Sequence, residues 1–438
     1  MQDIAALYDQ FRACASVSTD SRQAQTDTLF FALNGPTFRG ADFAPQALAS
    51  GARHAVVDDA ALATQHPELY TYAPDPLRTL QDLARHHRRQ LNIPVLGITG
   101  SNGKTTTKEL IHAVLSRRFR VQYTRGNLNN HIGVPLTLLS IRPEEHELAI
   151  VEMGANHRGE IELLSNIAEP THGLITNIGK AHLEGFGGQE GIAQGKAELF
   201  RFLAATNGTA FVNTLDARLV ELAAMVPQRV TYPGTADTYP ATLVSPIPNV
   251  TFRLTDGTLL EARITGDYNF PNLAAAAAVG QYFGVPTADI ADALASYAPT
   301  NNRSQLVDTG RNEVILDAYN ANPSSMSAAL RSFATRPGSR RSTKVVVLGD
   351  MFELGEESAA EHTALGNLLA ELPLSEIVLI GPEMAHAHNV CGSSRSHNHY
   401  FATKAEAANW LQTKALQDCQ VLVKGSRGMG LETLLELL

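Results

Sequence analysis

The stretch PVLGITGSNGKTTTKEL, from Pro94 to Leu110, decides the fold of the middle of this chain. It places a short apolar strand over Val95–Thr99 before a glycine-bearing loop, a Lys-Thr pair and a helix. Proteins hold nucleotide phosphates with this order of elements. The loop N–H groups and the helix N-terminus face the anion, a lysine adds positive charge, and a hydroxyl reaches Mg²⁺. The stretch therefore predicts a site for ATP or GTP.

The loop is shorter than a standard P-loop, which has four residues between its first glycine and the Gly-Lys pair. Here Ile98 stands where that first glycine would be. The helical spacing of Leu110, Ile111, Val114 and Leu115 supports the strand–loop–helix interpretation. A tight turn with a solvated lysine is the alternative. The predicted ATP-binding residues of the loop are Gly100, Ser101, Asn102, Gly103, Lys104, Thr105 and Thr106.

Composition predicts a soluble globular protein of the reducing cytoplasm. The 438 residues are 44% hydrophobic and 18% charged, which fits about three domains with cores of their own. The net charge of −9 argues against nucleic acid as a partner. No apolar run approaches a membrane span, and the N-terminus lacks a signal-peptide layout. Cys14, Cys391 and Cys419 are too far apart for a metal or disulfide pattern.

The order of strand and helix signals predicts an α/β fold in three domains. Residues 1–90 form a small N-terminal α/β domain, and residues 91–300 a central P-loop domain with a doubly wound parallel sheet. Within the second, residues 232–265 predict an antiparallel flap. Residues 301–438 alternate strands and helices again, which predicts a Rossmann-like C-terminal domain. Ligands bind beyond the carboxyl ends of such strands, so two such edges could face each other.

Two side chains near these strand ends, Glu152 and His182, are candidates for metal chemistry. Glu152 ends an apolar strand beside the phosphate loop and could hold Mg²⁺, although a solvated carboxylate is the alternative. His182 follows the next strand, where sequence alone favours a hydrogen-bonded loop histidine. Lys196 in GKAELF reads, on sequence alone, as a helix surface lysine.

Two further groups could contact substrate. The cluster TRGNLNNHIGVP is rich in asparagines, whose amides can bind sugar or phosphate oxygens or stabilise a turn. Arg303 suits a phosphate and Asp317 suits ribose hydroxyls, but spacing alone does not separate these roles from surface charges.

Taken together, these segments resemble the Mur ligase family over nearly the whole chain. The N-terminal Thr19–Arg22 and Phe30–Gly35 resemble the family's uridine-nucleotide domain, although Arg39 stands where the family usually has aspartate. The versions TNIGKAHLEGFGG, YNANPSSM and LGDMFELG are similar to those of the branch that adds D-alanyl-D-alanine. The other motifs are GSNGKTTT, GNLNNHIGVP, VEMGANHRGEI, GKAELF, GDYNFPNLAAAAA and KGSRGMGLE.

The resemblance implies a role for each matching residue. Lys104, His182 and Lys196 would be catalytic, with Lys196 carbamylated by CO₂. Two Mg²⁺ ions would be bound through Thr105, Glu152, His182 and the Lys196 carbamate. The remaining assignments are Asn272, Arg303 and Asp317 to ATP, Ser21 and Arg22 to the UDP end, and Asn127, Asn130 and Asn322 to substrate.

The implied reaction is ATP-driven amide formation between UDP-MurNAc-tripeptide and D-alanyl-D-alanine, through an acyl phosphate, by a monomer. A related Mur-type or folylpolyglutamate-type ligase with another amine acceptor is the alternative. A nucleotide-binding regulatory module is a rival of a different class, but it leaves the motif series unexplained.

Overall fold

The computed structural model describes residues 4–23, 26–337, 343–391 and 397–438. Its N-terminal part is a four-stranded, all-parallel sheet in the order β1-β2-β3-β4. The elements are α1 (Ile4–Arg12), β1 (Ser16–Ser18), β2 (Thr28–Phe31), α2 (Ala44–Ala49), β3 (Ala52–Val57), α3 (Ala60–Gln65), β4 (Tyr70–Tyr72) and α4 (Pro76–Gln90).

Helix α4 fastens this sheet to the central part of the chain. Its first turn is capped by the Asp75 side chain, which accepts the backbone N–H of Arg78. Arg88 is buried near its end and donates to the carbonyls of Ala168 and Glu169, each over 3.0 Å. A buried guanidinium bound to carbonyls of another element fixes the two parts against each other.

The central part is a six-stranded parallel sheet in the order β10-β9-β8-β5-β7-β6. Strands β6 and β7 lie on one side of β5, and β8, β9 and β10 lie on the other, so the sheet is doubly wound with its switch point at β5. The strands are β5 (Val95–Thr99), β6 (Val121–Tyr123), β7 (Leu148–Glu152), β8 (His172–Ile175), β9 (Thr209–Asn213) and β10 (Gln228–Tyr232).

Helices cover both faces of this sheet and bury its apolar strands. The alanine-rich helix α12 packs against α5, the helix that follows the phosphate loop. The helices are α5 (Lys104–Leu115), α6 (Gly133–Leu139), α7 (Glu160–Ala168), α8 (Leu183–Phe186), α9 (Gln189–Lys196), α10 (Glu198–Thr206), α11 (Ala217–Ala223), α12 (Phe270–Tyr282) and α13 (Thr287–Ser296).

The segment predicted as an antiparallel flap forms a separate three-stranded antiparallel sheet, β11-β12-β13. Its strands are β11 (Ala241–Ser245), β12 (Thr251–Leu254) and β13 (Leu259–Glu261). Phe252 is buried and packs against Phe270 at the start of α12, with ring centroids 5.8 Å apart. The flap therefore shares the core of the central part.

The C-terminal part is a second six-stranded sheet, in the order β14-β15-β19-β16-β17-β18. Only the β14–β15 pair is antiparallel among the described pairings of this sheet. The elements are β14 (Gln305–Asp308), β15 (Glu313–Asp317), α14 (Pro323–Thr335), β16 (Thr343–Gly349), α15 (Ser358–Glu371), β17 (Glu376–Ile380), α16 (Met384–Cys391), β18 (His397–Phe401), α17 (Lys404–Lys414) and β19 (Cys419–Lys424).

The predicted α/β fold, with its central parallel sheet and a second α/β sheet, is confirmed. The short edge strands β1, β4, β6, β10, β14 and β18 were not predicted, because three to five residues at a sheet edge carry little apolar pattern. The division of the chain at residues 90 and 300 stays a prediction. In the described part of the chain, no helix has the length and apolarity that crossing a membrane requires.

Candidate active site

The phosphate loop joins β5 to α5, and glycine is required at both of its ends. Gly100 has φ 142° and Gly103 has φ 78°, a region that favours glycine. A Cβ on Gly100 would lie 2.0 Å from Thr176 Oγ1. Ile98 is fully buried and pairs with Glu152 in the sheet, so the strand occupies the position where a longer loop would begin.

The loop is held by the segment that follows β8. The backbone N–H of Ser101 donates to the Asn177 carbonyl over 3.0 Å, and that of Asn102 donates to Asn177 Oδ1 over 3.0 Å. The Ser101 hydroxyl donates to the Gly179 carbonyl over 3.0 Å. These bonds fix the loop before a ligand arrives, which lowers the cost of ordering it on binding.

Lys104 begins α5 and folds back over the loop. Its Nζ donates to the carbonyls of Gly100, over 2.7 Å, and Ser101, over 3.2 Å. Burial lowers the pKa of Lys104 to about 8, an effect that Glu152 opposes and Arg303 reinforces. The protonated form of Lys104 is therefore less strongly favoured than in a solvated lysine, and a bound phosphate would favour it again.

Glu152 ends β7 beside the loop and is 1% exposed. Its Oε1 accepts from Thr105 Oγ1 over 3.1 Å and from Asn129 Nδ2 over 2.9 Å. Its Oε2 accepts no hydrogen bond from any residue that the structure describes. A buried carboxylate oxygen without a hydrogen-bond donor is a natural ligand for a cation.

Lys196, at the end of α9, is 1% exposed, so the expectation of a surface lysine was wrong. Its Nζ donates to the Ala155 carbonyl over 3.0 Å and lies 4.8 Å from the centre of the Phe186 ring. Burial lowers the pKa of Lys196 well below its ordinary value, and Lys104 adds to the effect, while Glu160 and Glu198 oppose it. Burial therefore favours the neutral, nucleophilic form of the amine over the ammonium.

His182 lies between the two large sheets. Its backbone has φ 56°, in the left-handed region that residues other than glycine seldom adopt. The imidazole Nδ1 pairs with the carboxylate of Glu353, which follows β16, and this hydrogen bond lowers the pKa of Glu353. The contact joins a predicted site residue of the central part to the C-terminal part.

The C-terminal part brings a cationic and aromatic face to the loop. The Arg303 guanidinium lies 3.7 Å from the centre of the Tyr319 ring, and Arg427 lies 5.2 Å from it. Asp317 accepts the Ser304 N–H over 3.1 Å and pairs with buried Lys424 over 2.6 Å. Sequence reasoning missed Tyr319, which lies just after β15, and Lys424, which ends β19.

Two predicted residues of this region also have structural roles. Asn322 caps α14, accepting the Ser325 N–H over 2.9 Å, while its Nδ2 donates to Asn102 Oδ1 in the loop over 2.7 Å. Asn272 accepts from Thr107 Oγ1 over 3.1 Å, beneath the loop's Gly103. Both bring an amide within reach of the loop.

The three asparagines of the segment TRGNLNNHIGVP have different roles. Asn129, which was not selected as a site residue, binds Glu152 directly. Asn130 Oδ1 accepts the backbone N–H groups of Ile132 and Gly133 over 3.1 and 2.9 Å, so it shapes the turn into α6. Asn127 and Asn130 nevertheless face the same cavity as the loop.

One cavity of about 830 Å³ gathers these groups. Lys196 and Gly100 do not line it but lie directly behind groups that do. Ser21 and Arg22 are not among its lining residues either. Ser21 faces Gln46, and exposed Arg22 pairs with Asp20. The predicted site residues on its wall are Ser101, Asn102, Gly103, Lys104, Thr105, Thr106, Asn127, Asn130, Glu152, His182, Asn272, Arg303, Asp317 and Asn322.

Fold and site together define a multidomain P-loop protein whose C-terminal α/β part faces the phosphate loop across one cavity. Three family models match the chain. The Mur ligase family catalytic domain matches residues 14–88, the Mur ligase middle domain residues 98–280, and the Mur ligase glutamate ligase domain residues 302–427. The chain belongs to the Mur ligase family.

Two relatives within that family carry the name UDP-N-acetylmuramoyl-tripeptide–D-alanyl-D-alanine ligase. The Bacillus subtilis protein is 34% identical, over 96% of this chain and 92% of its own length. The Escherichia coli protein is 34% identical, over 97% of this chain and 93% of its own.

Solved structures agree with this relationship. A crystal structure of MurF from Acinetobacter baumannii superposes with a TM-score of 0.87 at 34% identity, covering 99% of this chain and 98% of that one. The MurF ligase from Thermotoga maritima, solved in complex with ADP, has a TM-score of 0.83 at 26% identity. That match covers 100% of this chain and 98% of the other.

Proposed function

We propose that this chain is an ATP-dependent ligase that joins D-alanyl-D-alanine to UDP-MurNAc-tripeptide and gives UDP-MurNAc-pentapeptide for peptidoglycan synthesis. Its near full-length likeness to ligases of that name supports the activity. The observation that carries the proposal is the single cavity in which Lys104 and Glu152 of the central part face Arg303 and Asp317 of the C-terminal part. Phosphoryl transfer between anions needs such cationic positioning.

ATP is the nucleotide of the proposal, and Gly100–Thr106 would hold its phosphates. Lys104 would supply positive charge from beside the loop, and the Arg303 guanidinium, stacked on the Tyr319 ring, would supply it from the C-terminal part. Asp317 presents a carboxylate, suited to ribose hydroxyls, and Asn272 would approach adenine. The Thermotoga maritima relative was solved in complex with ADP, which supports nucleotide binding by this chain.

The residues present fit a bound magnesium ion. Among the described residues, no group of three or more His, Cys, Asp and Glu side chains gathers as a metal cluster. Mg²⁺ bound with nucleotide phosphates, however, takes only one or two carboxylates from the protein. Glu152 offers an oxygen without a hydrogen-bond donor, and Thr105 offers a hydroxyl next to it. When bound, Mg²⁺ would neutralise phosphate charge and draw electrons from the γ-phosphorus.

The second ion of the proposal would use His182 and a carbamate on Lys196. The neutral Lys196 nitrogen would attack the carbon of CO₂, so that an N–C bond forms while one C=O electron pair moves onto oxygen, and the nitrogen would then release one proton to solvent. A neutral amine would thereby become an anionic carbamate. Burial of the side chain lowers the pKa of Lys196 and so favours the neutral amine that this step needs. The neighbouring Lys104 favours the resulting negative charge for the same reason that it disfavours a second positive one.

The reaction begins when the terminal carboxylate of the tripeptide attacks the γ-phosphorus of ATP, giving an acyl phosphate and ADP. The dipeptide amine then attacks the acyl carbon, and the tetrahedral intermediate expels phosphate. Lys104 and the loop N–H groups would offset the charge of the reacting anions. The C-terminal part would exclude water, which would otherwise hydrolyse the acyl phosphate.

The donor substrate would extend away from the loop. Asn127, Asn130 and Asn322 lie on the cavity wall, where they would meet the muramoyl-peptide. Ser21 and Arg22 would receive the uridine nucleotide on the N-terminal part, outside the cavity. The proposed enzyme acts as a monomer in the cytoplasm, where ATP and nucleotide-linked precursors are found.

The test is phosphate release by the purified chain supplied with UDP-MurNAc-tripeptide, MgATP and D-alanyl-D-alanine. Release should require all three, and mass spectrometry should show the pentapeptide product. Phosphate release that ignores the dipeptide would refute ligation. A panel of single amino acids and glutamate in place of the dipeptide separates this enzyme from a Mur-type or folylpolyglutamate-type ligase with another acceptor.

A further inference from the structure

Lys108 is a buried cation that the proposed reaction does not use. It lies on α5, one turn after Lys104, and its side chain is 0% exposed. It is not among the residues that line the cavity. Burying a lysine costs several kcal/mol unless its charge is compensated, so its partners show what it does.

The partners of Lys108 are two carboxylates. Its Nζ lies 3.4 Å from Glu152 Oε2 and 3.3 Å from Glu109 Oε1. It also lies 5.7 Å from the centre of the Tyr123 ring. Within the described residues, neither Lys108 Nζ nor Glu152 Oε2 makes a hydrogen bond. The two atoms therefore attract each other by charge without being locked in a hydrogen-bond geometry.

The two carboxylate oxygens of Glu152 therefore have different surroundings. One oxygen is fixed by hydrogen bonds from Thr105 and Asn129, while the other faces only the ammonium of Lys108. Glu109, which is 24% exposed, gives Lys108 a second partner when Glu152 turns to another cation. The amine thus need not leave the protein interior for the carboxylate to change partners.

We propose that Lys108 is the built-in counter-charge of Glu152, and that it keeps the divalent-cation site weak until a nucleotide is present. The inference rests on the proposed metal role of Glu152. A cation that approaches Glu152 must compete with Lys108, and repulsion between charges a few ångströms apart is large in a protein interior. Nucleotide phosphates supply the negative charge that offsets this repulsion, so metal and nucleotide arrive together.

Under this proposal Lys108 is a positioning residue, and removing its charge should raise the affinity of the protein for a divalent cation. Mn²⁺ binding to the nucleotide-free protein can be measured by electron paramagnetic resonance, without any turnover. Lys108→Met keeps the length of the side chain and removes its charge. We expect it to bind Mn²⁺ at least about tenfold more tightly than the wild type.

Three control variants separate charge from other effects. Lys108→Arg keeps the charge and should bind Mn²⁺ as weakly as the wild type. Lys414→Met changes the net charge equally at a distant, partly exposed pair with Glu376, and should change nothing. Glu152→Gln should abolish the tight binding that Lys108→Met creates.

With ADP present, the difference between Lys108→Met and the wild type should shrink, because the phosphates already offset the lysine. Equal or weaker Mn²⁺ binding by folded Lys108→Met would overturn the proposal. If that variant does not fold, Glu109→Gln replaces it. Loss of the competing carboxylate should bind Lys108 more firmly to Glu152 and weaken Mn²⁺ binding severalfold, and unchanged or tighter binding would overturn the proposal.

Failure of this inference differs from failure of the proposed function. The wild-type ligation assay decides the function and does not depend on metal binding in the absence of nucleotide. If Glu152→Gln leaves Mn²⁺ binding unchanged in both backgrounds, the metal role of Glu152 is wrong and the inference falls with it, whether or not the chain is a ligase.

Discussion

The side-chain amide of Asn322 donates a hydrogen bond to Asn102 Oδ1 over 2.7 Å, and so ties the C-terminal α/β part to the phosphate loop. The residues are 220 positions apart in the chain. Asn102 is also held through its backbone by Asn177, so the bond ends on a fixed point. The position of the C-terminal part is therefore linked directly to the shape of the loop.

We expect Asn322→Ser to lower kcat/KM for ATP about threefold to tenfold, because one hydrogen bond between the two parts is lost. Serine still caps α14, so the melting temperature should stay near that of the wild type. Asn322→Ala should lose both the cap and the bond, with a further loss of about 1 kcal/mol in the free energy of unfolding. Wild-type kinetics in Asn322→Ser would show that the contact has no part in the reaction.

Lys104→Met should lower kcat/KM about a hundredfold or more, since it removes a charge that acts on the reacting phosphates. The same change should stabilise the fold at pH 7. Burial lowers the pKa of Lys104 from 10.5 to about 8. Between pH 8 and pH 10.5 the unfolded chain keeps a proton that the folded chain has lost. Below pH 8 the folded chain also carries the charge, and burying it lowers the free energy of unfolding.

The stability gain of Lys104→Met should consequently shrink as pH rises from 8 towards 10.5. Thermal unfolding of both proteins at pH 7 and pH 9.5 measures this difference. A variant that is less stable than the wild type at pH 7 would contradict the expected cost of burying the charge.

Lys196 should carry a carbamate, which ¹³C NMR with labelled bicarbonate can detect directly. Lys196→Ala should lose the signal and most activity, and short carboxylates such as formate should restore part of the activity by occupying the space left behind. Lys196→Arg fills that space and should not be rescued. Full activity in Lys196→Ala would exclude the carbamate.

Arg303 should bind nucleotide partly through its stacking on Tyr319. Tyr319→Leu removes the ring and should weaken ADP binding about threefold to tenfold by calorimetry, from the range of such stacking energies. Tyr319→Phe keeps the ring and serves as the matched control, with affinity near that of the wild type. Equal losses in both variants would point to the hydroxyl instead of the stack.

The strand–loop–helix of the phosphate site was predictable because its signals are local. Val95–Thr99 is a mostly apolar and fully buried strand, and the predicted limits coincide with β5. Lys196 shows where local reasoning fails. It falls four residues after buried Ile192 and four before buried Phe200, so it occupies a core position of the helical pattern. The general expectation that lysine lies at the surface concealed this core-type spacing.

Contacts between distant segments were beyond the reach of the sequence. The bond from Asn322 to Asn102 and the pairing of Lys424 with Asp317 depend on how two sheets are placed. Lys108 gave no signal of its own, because a lysine on a helix is ordinary until its neighbours are known. The family resemblance supplied roles for such residues but not their partners.

The attachment of α4 through buried Arg88 has a consequence for substrate length. It fixes the N-terminal sheet to the central one, and with it the span between Ser21 and the phosphate loop. A donor anchored at its uridine end would bring its terminal carboxylate to the loop only if its peptide stem matched that span. The enzyme would then select its donor by length. A precursor with a shorter peptide stem would not reach the loop, even though no side chain contacts the position of the missing residue.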